Sequence, residues 1–484
     1  MDIRGSDPAE SRRNADTRMM FDSVSHEITR RQLLGSAPLA LGSLALASMF
    51  KAEYGKSAGL QHLAPRARRV IYLFMSGGPS HVDTFDPKPT LTQQHGREMP
   101  PELIRNHEFA MIKEARPKVK GSPWNFQSRG QSGTEVSDLF PHVGKVIDEI
   151  AVIRSLHTDS FNHDPAVMFM NTGSVRFGRP SMGSWLSYGL GSENSDLPSF
   201  VVLVSGQNRQ PLLDSYWGAG FLPSEHQGTT FRTSGDPVLH IANPPGISRS
   251  ERRRQLNLLK WMNQRRHAAV NDPEISARIA QYELAYRMQV AVPELTDISN
   301  EPASAREFYG AKPGEASFAN NCLLARRLTE RGVRFIQLYD KGWDSHGSIE
   351  KEHSKRCQSV DQPIAALLTD LRQRGLLDET LVIWGGEFGR TPMSQGNGQG
   401  AGRDHHPHGF TMWLAGGGIR PGIVHGATDE FGYFAERDKV HVHDLHATLL
   451  HCLGLQHKNF TFPHQGRDFR LTDEFGEVVG ALLD

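Results

Sequence analysis

Four short segments carry side chains that could hold a metal ion and support hydrolytic chemistry. Asp344-x-His346 sets a carboxylate and an imidazole on one side of an extended loop, where both can reach one ion. Glu387 follows an apolar run through two glycines, and His405, His406 and His408 crowd the segment Gly402–Gly409. Mixed imidazole and carboxylate donors suit Zn²⁺, Mn²⁺ or Fe better than Mg²⁺ or Ca²⁺, with Zn²⁺ or Mn²⁺ favoured. His81 and Asp83, beyond an earlier glycine turn, are further candidate ligands for a site of one or two ions. Such a site leaves a position for water or an ester, as metal-assisted hydrolysis requires. Lys341, Arg390 and Arg403 stand beside these ligands and could hold an anionic ester group. Ser160, Asn162 and His163 are the candidate nucleophile or general base. Their loop leads into a helix start, where backbone N–H groups favour an anion.

Short apolar runs must position these groups. Val70–Met75, Ile150–Ile153, Phe200–Val204, Val333–Tyr339, Leu381–Trp384 and Thr411–Ala415 each read as a buried strand. Helical patterns lie between them at Phe318–Arg331, at Ile364–Arg374 with Pro363 at its start, and at His443–Leu453, stopped by Gly454. The alternation predicts a layered α/β/α domain over residues 69–484 around a largely parallel sheet. Ligands gather at the carboxyl ends of the strands in such a sheet. Three of the candidate segments leave strands, whereas Gly402–Gly409 enters one. Residues 249–292 are densely charged and broken at Pro273, which predicts a helical insertion or lid.

The chain of 484 residues carries 54 basic and 54 acidic side chains, so its zero net charge argues against a nucleic-acid partner. A mean hydropathy of −0.47 excludes a polytopic membrane protein. Cys322, Cys357 and Cys452 are too few for a disulfide framework and read as buried thiols in helices. Residues 1–50 read as a leader with a twin-arginine signal, Arg30-Arg31 standing before the uncharged stretch Leu33–Phe50. Residues 51–68 read as a linker. Gly35, Pro38 and Gly42 weaken that stretch as a bilayer span. The mature protein is therefore expected to be periplasmic or extracellular, with no stable membrane span. Many of the histidines, including His441, His443, His446, His451 and His457, surround one helix and are expected to pack rather than react.

Phe74–Lys88, Asn162–Gly173, Trp343–Gly347, Gly385–Pro392, Gly402–Gly409 and Ala415–Glu430, together with Arg30-Arg31, resemble the DUF1501 family, usually placed in the alkaline phosphatase and sulfatase superfamily. The resemblance implies an alkaline phosphatase-like fold and export in the folded state. It also implies metal-dependent hydrolysis of sulfate or phosphate monoesters, on a small molecule or a polysaccharide. Glu387 stands where a sulfatase aspartate would be, and Phe388 where a metal-binding histidine would be. Asp344 and His346 are similar to the phosphatase metal pair at a shorter spacing, and His163 falls near the place of the nucleophile. Asp444 resembles a structural residue of the last helix. No Cys-x-Pro-x-Arg or Ser-x-Pro-x-Arg motif is present, which argues against a formylglycine nucleophile. Ser76-Gly77-Gly78 replaces the paired acids of the superfamily's first strand. These departures leave two alternatives: a non-catalytic binding module on the same fold, or a phosphotransferase or mutase.

Overall fold

The computed structural model describes residues 62–484 apart from 106 and 207–211, so the twin-arginine segment and most of the linker lie outside the described residues. The principal sheet has nine strands. In chain order they are β1 (Arg69–Ser76), β2 (Ile150–His157), β3 (Phe200–Gly206), β4 (Thr229–Phe231), β5 (Phe335–Lys341), β6 (Thr380–Gly385), β7 (Phe410–Ala415), β8 (Val424–His425) and β9 (Val440–His441). Across the sheet they run β8-β2-β7-β6-β1-β5-β3-β4, with β9 also on β2. Every pairing is parallel except those of β7, which is antiparallel to both β2 and β6.

Central strand β1 is apolar along nearly its whole length because helices cover both faces of the sheet. Ile71, Leu73 and Met75 point to one face, into a core with α5 (Phe318–Glu330) and α6 (Ile349–Gln373). Val70, Tyr72 and Phe74 point to the other. There they meet α1 (His163–Thr172), α2 (Met182–Leu190) and α7 (Val442–Cys452). The layered α/β/α architecture expected from the alternating runs is thus what forms. The charged segment folds as the helical pair α3 (Arg249–Val270) and α4 (Pro273–Thr296), separated just before Pro273. All three cysteines are buried free thiols. Asp444 caps α7, accepting the His441 N–H at 2.9 Å.

Among the expected helices, one boundary differs by more than a residue. Pro363 lies inside α6 rather than at its start, because the polar stretch before it presents Ile349, His353, Cys357 and Val360 to the core. That burial holds the turn together despite the missing N–H.

The reversed strand β7 positions the site. The carboxyl ends of β1, β5 and β6 share one edge of the sheet, and a strand running the other way begins at that edge. The loop entering β7 therefore joins the loops leaving the others. His405-His406 also pairs in a short antiparallel ladder with Gly389-Arg390, fixing that loop against the one after β6.

Candidate metal centre

Four side chains from three distant segments bring their donor atoms together at this edge. One donor atom each from His163, Asp344, His346 and His405 lies within 4.8 Å of all the others. Asp344 Oδ1 is 3.2 Å from His163 Nε2, 2.9 Å from His346 Nε2 and 3.3 Å from His405 Nε2. The His346 and His405 Nε2 atoms approach to 2.9 Å. Four donors bound at about 2.0–2.1 Å to a shared Zn²⁺ would stand about 3.3–3.4 Å apart, so the set needs only small shifts to close on an ion.

The outer ring nitrogens explain why the inner ones converge. His163 Nδ1–H donates to Glu387 Oε1 at 2.6 Å, His346 Nδ1–H to Gln395 Oε1 at 2.6 Å, and His405 Nδ1–H to the Phe161 carbonyl at 2.8 Å. Each bond orients its ring and directs an Nε2 lone pair inward, the outer support that metal-binding histidines carry. His163 Nε2 is buried and makes no hydrogen bond of acceptable geometry despite its distance to Asp344. Three inward nitrogens and one carboxylate oxygen fit Zn²⁺ or Mn²⁺.

The electrostatics agree. Burial alone would lower the His163 pKa, but the Asp344 and Glu387 carboxylates overcome it and raise the value to about 9. Burial would raise the Asp344 carboxyl, yet the three imidazoles gathered around it and the Arg390 charge hold it far below the carboxylate range. His405 is pushed down by burial, with Arg390 and His163 adding to that effect. A pocket that draws a proton so strongly to His163 also draws a divalent cation.

Of the residues singled out in the sequence, Asp344, His346 and His405 come together as a group that could hold an ion. His163, read as nucleophile or base, lies with them, and Glu387 and Asp344 flank its two ring nitrogens. Glu387, read as a ligand, stands behind the group. It is fully buried and accepts the Gly77 N–H at 2.9 Å as well as His163 Nδ1–H, so it orients the His163 ring. Gly77 reaches it at φ +117°, where an added Cβ would stand 2.7 Å from the Trp343 carbonyl carbon.

The remaining candidates are used elsewhere. Asp83 binds Arg403 through both oxygens, at 2.7 and 3.0 Å, and accepts the Ser80 hydroxyl. Both members of this pair are fully buried, and Arg403 spends its other donors on the Lys120, Gly121 and Thr391 carbonyls. Arg390 is committed to the Gly77, Gly78 and Arg403 carbonyls and to Asp344 at 2.8 Å. Both guanidinium groups are fully buried, with every Arg403 donor and all but one of those on Arg390 already spent, so their reading as anion-binding groups is corrected. His81 bonds the Gly432 carbonyl and His406 that of Tyr433, with the two rings stacked. His408 packs on His107 and Phe434, and burial pushes its pKa down to about 4. Lys341, at the end of β5, makes no ion pair among the described residues and is half-buried. Ser160 and Asn162 flank Phe161, whose carbonyl holds His405; Asn162 precedes α1 but makes no side-chain capping bond. Phe388 packs on the rings of His163 and His405, at 5.0 and 4.7 Å between centroids. Nothing in the spacing pointed to Gln395 or to the Phe161 carbonyl, because both act only through the folded loops.

A family model described as a protein of unknown function, DUF1501, matches residues 67–483. The chain belongs to the DUF1501 family. No curated protein matches this DUF1501 chain in sequence. Among solved structures it is similar to an alkaline phosphatase from the Antarctic bacterium TAB5, at 10% identity and TM-score 0.28 over 73% of this chain and 92% of that one. It is similar to the lipooligosaccharide phosphoethanolamine transferase A of Neisseria meningitidis, at 12% identity and TM-score 0.32 over 93% and 66%. It is also similar to the lipoteichoic acid synthase LtaP of Listeria monocytogenes, at 8% identity and TM-score 0.35 over 85% and 76%.

Proposed function

We propose that this DUF1501 protein is an exported hydrolase of sulfate or phosphate monoesters that works with one divalent metal. The observation that carries the reading is the convergence of three Nε2 atoms and the Asp344 carboxylate, each imidazole fixed from behind by a hydrogen bond. A Zn²⁺ or Mn²⁺ held there would supply Lewis acidity toward an ester oxygen. The chain's own groups do the rest. Lys341, which makes no ion pair among the described residues, attracts the ester's negative charge. Ser160, in the loop that holds His405, attacks the ester sulfur or phosphorus through its hydroxyl oxygen, and the alcohol leaves with the hydroxyl proton. Water then cleaves the Ser160 ester, which frees the anion and restores the hydroxyl, while Asn162 offers an amide to the ester oxygens. The Arg30-Arg31 segment supports export, to the periplasm or the extracellular space.

The test joins elemental analysis of purified protein to assays with aryl sulfates and aryl phosphates. The reading expects about one metal per chain and turnover of one ester class, both lost when Asp344→Ala is combined with His346→Ala. Metal without turnover on either class would reject hydrolysis. It would support the second reading, a metal-holding binding module, which the commitment of both arginines to structural bonds favours.

A further inference from the structure

Helix α3 concentrates charge and exposed apolar surface as no other helix among the described residues does. It carries seven arginines and lysines against one acid, Glu251, within a protein of zero net charge. Buried Leu256 and half-buried Arg252, Arg253, Asn263 and His267 mark the seam that packs on α4. Arg253 is tied there by Glu283 at 2.6 Å, and Arg249 lies over Tyr286. Leu258, Trp261 and Met262 recur at the i, i+3, i+4 spacing of one face, on the side away from that seam. They are 58%, 53% and 53% exposed, whereas Trp185, Trp343, Trp384 and Trp413 are fully buried. Arg254 stands one turn before the patch and Arg265 one turn after, the latter 4.9 Å above the Trp261 ring. Arg254, Lys260, Arg265 and Arg266 make no ion pair among the described residues.

We propose that the outer face of α3 is a docking surface for an anionic lipid bilayer. The chemistry selects this occupant. Exposed Trp, Leu and Met side chains can enter the boundary between headgroups and acyl chains while flanking arginines stay among the phosphates. A second copy on this face would set the unpaired Arg254, Lys260, Arg265 and Arg266 against the same four cations, and a nucleic acid would leave the apolar side chains in water. No helix among the described residues is long and apolar enough to cross a membrane, and the contact proposed for α3 is a peripheral one. The proposal stands apart from the metal centre and does not depend on its activity.

The experiment is co-sedimentation of the full chain with vesicles of phosphatidylcholine alone or with about 30% phosphatidylglycerol. Trp261→Glu with Met262→Glu should weaken binding to the anionic vesicles at least about tenfold, and so should Arg254→Glu with Arg265→Glu. Phe177→Glu, at an exposed phenylalanine elsewhere, should change nothing. The N-terminal apolar segment is common to every variant and cancels in the comparison. Binding to anionic vesicles should shift tryptophan emission to the blue, and Trp261→Phe should remove that shift. Wild-type binding by both double variants, equal binding to neutral vesicles, or self-association that the same substitutions abolish would overturn the proposal.

Discussion

Two polar groups of the same residue types lie near one edge of the sheet and behave oppositely. Around Asp83 the charges are matched: Arg403 fills both carboxylate oxygens, Ser80 adds a hydroxyl, and His81 is tied through Nε2 to a backbone carbonyl. Around Asp344, three imidazoles spend their outer nitrogens on fixed acceptors and aim the inner ones at one oxygen. The first arrangement is closed and serves the fold, whereas the second is left short of a cation. What separates structure from site is therefore the direction of lone pairs, not the kind of residue.

That contrast can be broken from either side. The largest effect is expected at the open group: Asp344→Ala with His346→Ala should cut metal affinity by more than about a hundredfold while leaving circular dichroism unchanged. Unchanged metal content would end the distinction. At the closed group, Arg403→Met leaves a buried Asp83 charge without its partner and should cost about 3–5 kcal/mol in denaturant unfolding, with any metal still bound in the protein that folds. Glu387→Gln tests the support of His163, and chelator competition should show metal affinity reduced about 10–100-fold. A reduction as complete as that of the double variant would make Glu387 a ligand after all.

The smallest effect calibrates both against a histidine that belongs to neither group. Burial lowers the pKa of His446 to about 3. Its unfolded form takes up a proton below about 6.5 while the folded form does not, so the stability it contributes is present above that pH and lost as pH falls. Between about pH 6.5 and 5.5 the loss is about 1 kcal/mol, and His446→Gln should flatten that part of the stability curve.

The fold was legible because strands covered on both faces are written as unbroken apolar runs, and β1, β3, β5, β6 and β7 all fall on such runs. The glycines beside those runs marked the right edge of the sheet, and with it Asp344, His346 and His405. Direction was not legible. His163 read as a nucleophile because a helix start activates anions, but its two nitrogens are flanked by Glu387 and Asp344, both far along the chain. Arg390 and Arg403 read as free cations because the carbonyls they bind leave no mark in a sequence. Pro363 read as a helix start because the polar turns before it hide a buried side in every fourth or third position.

The reversed strand has a kinetic consequence as well as a geometric one. Its entry loop brings His405 to ligands that lie far back in the chain, so no early, local fragment contains the complete donor set. Loop closure on that scale belongs to the late part of folding. Once bound, an ion would hold together contacts absent from the transition state; it would lengthen the lifetime of the native protein and leave the rate of reaching it almost untouched.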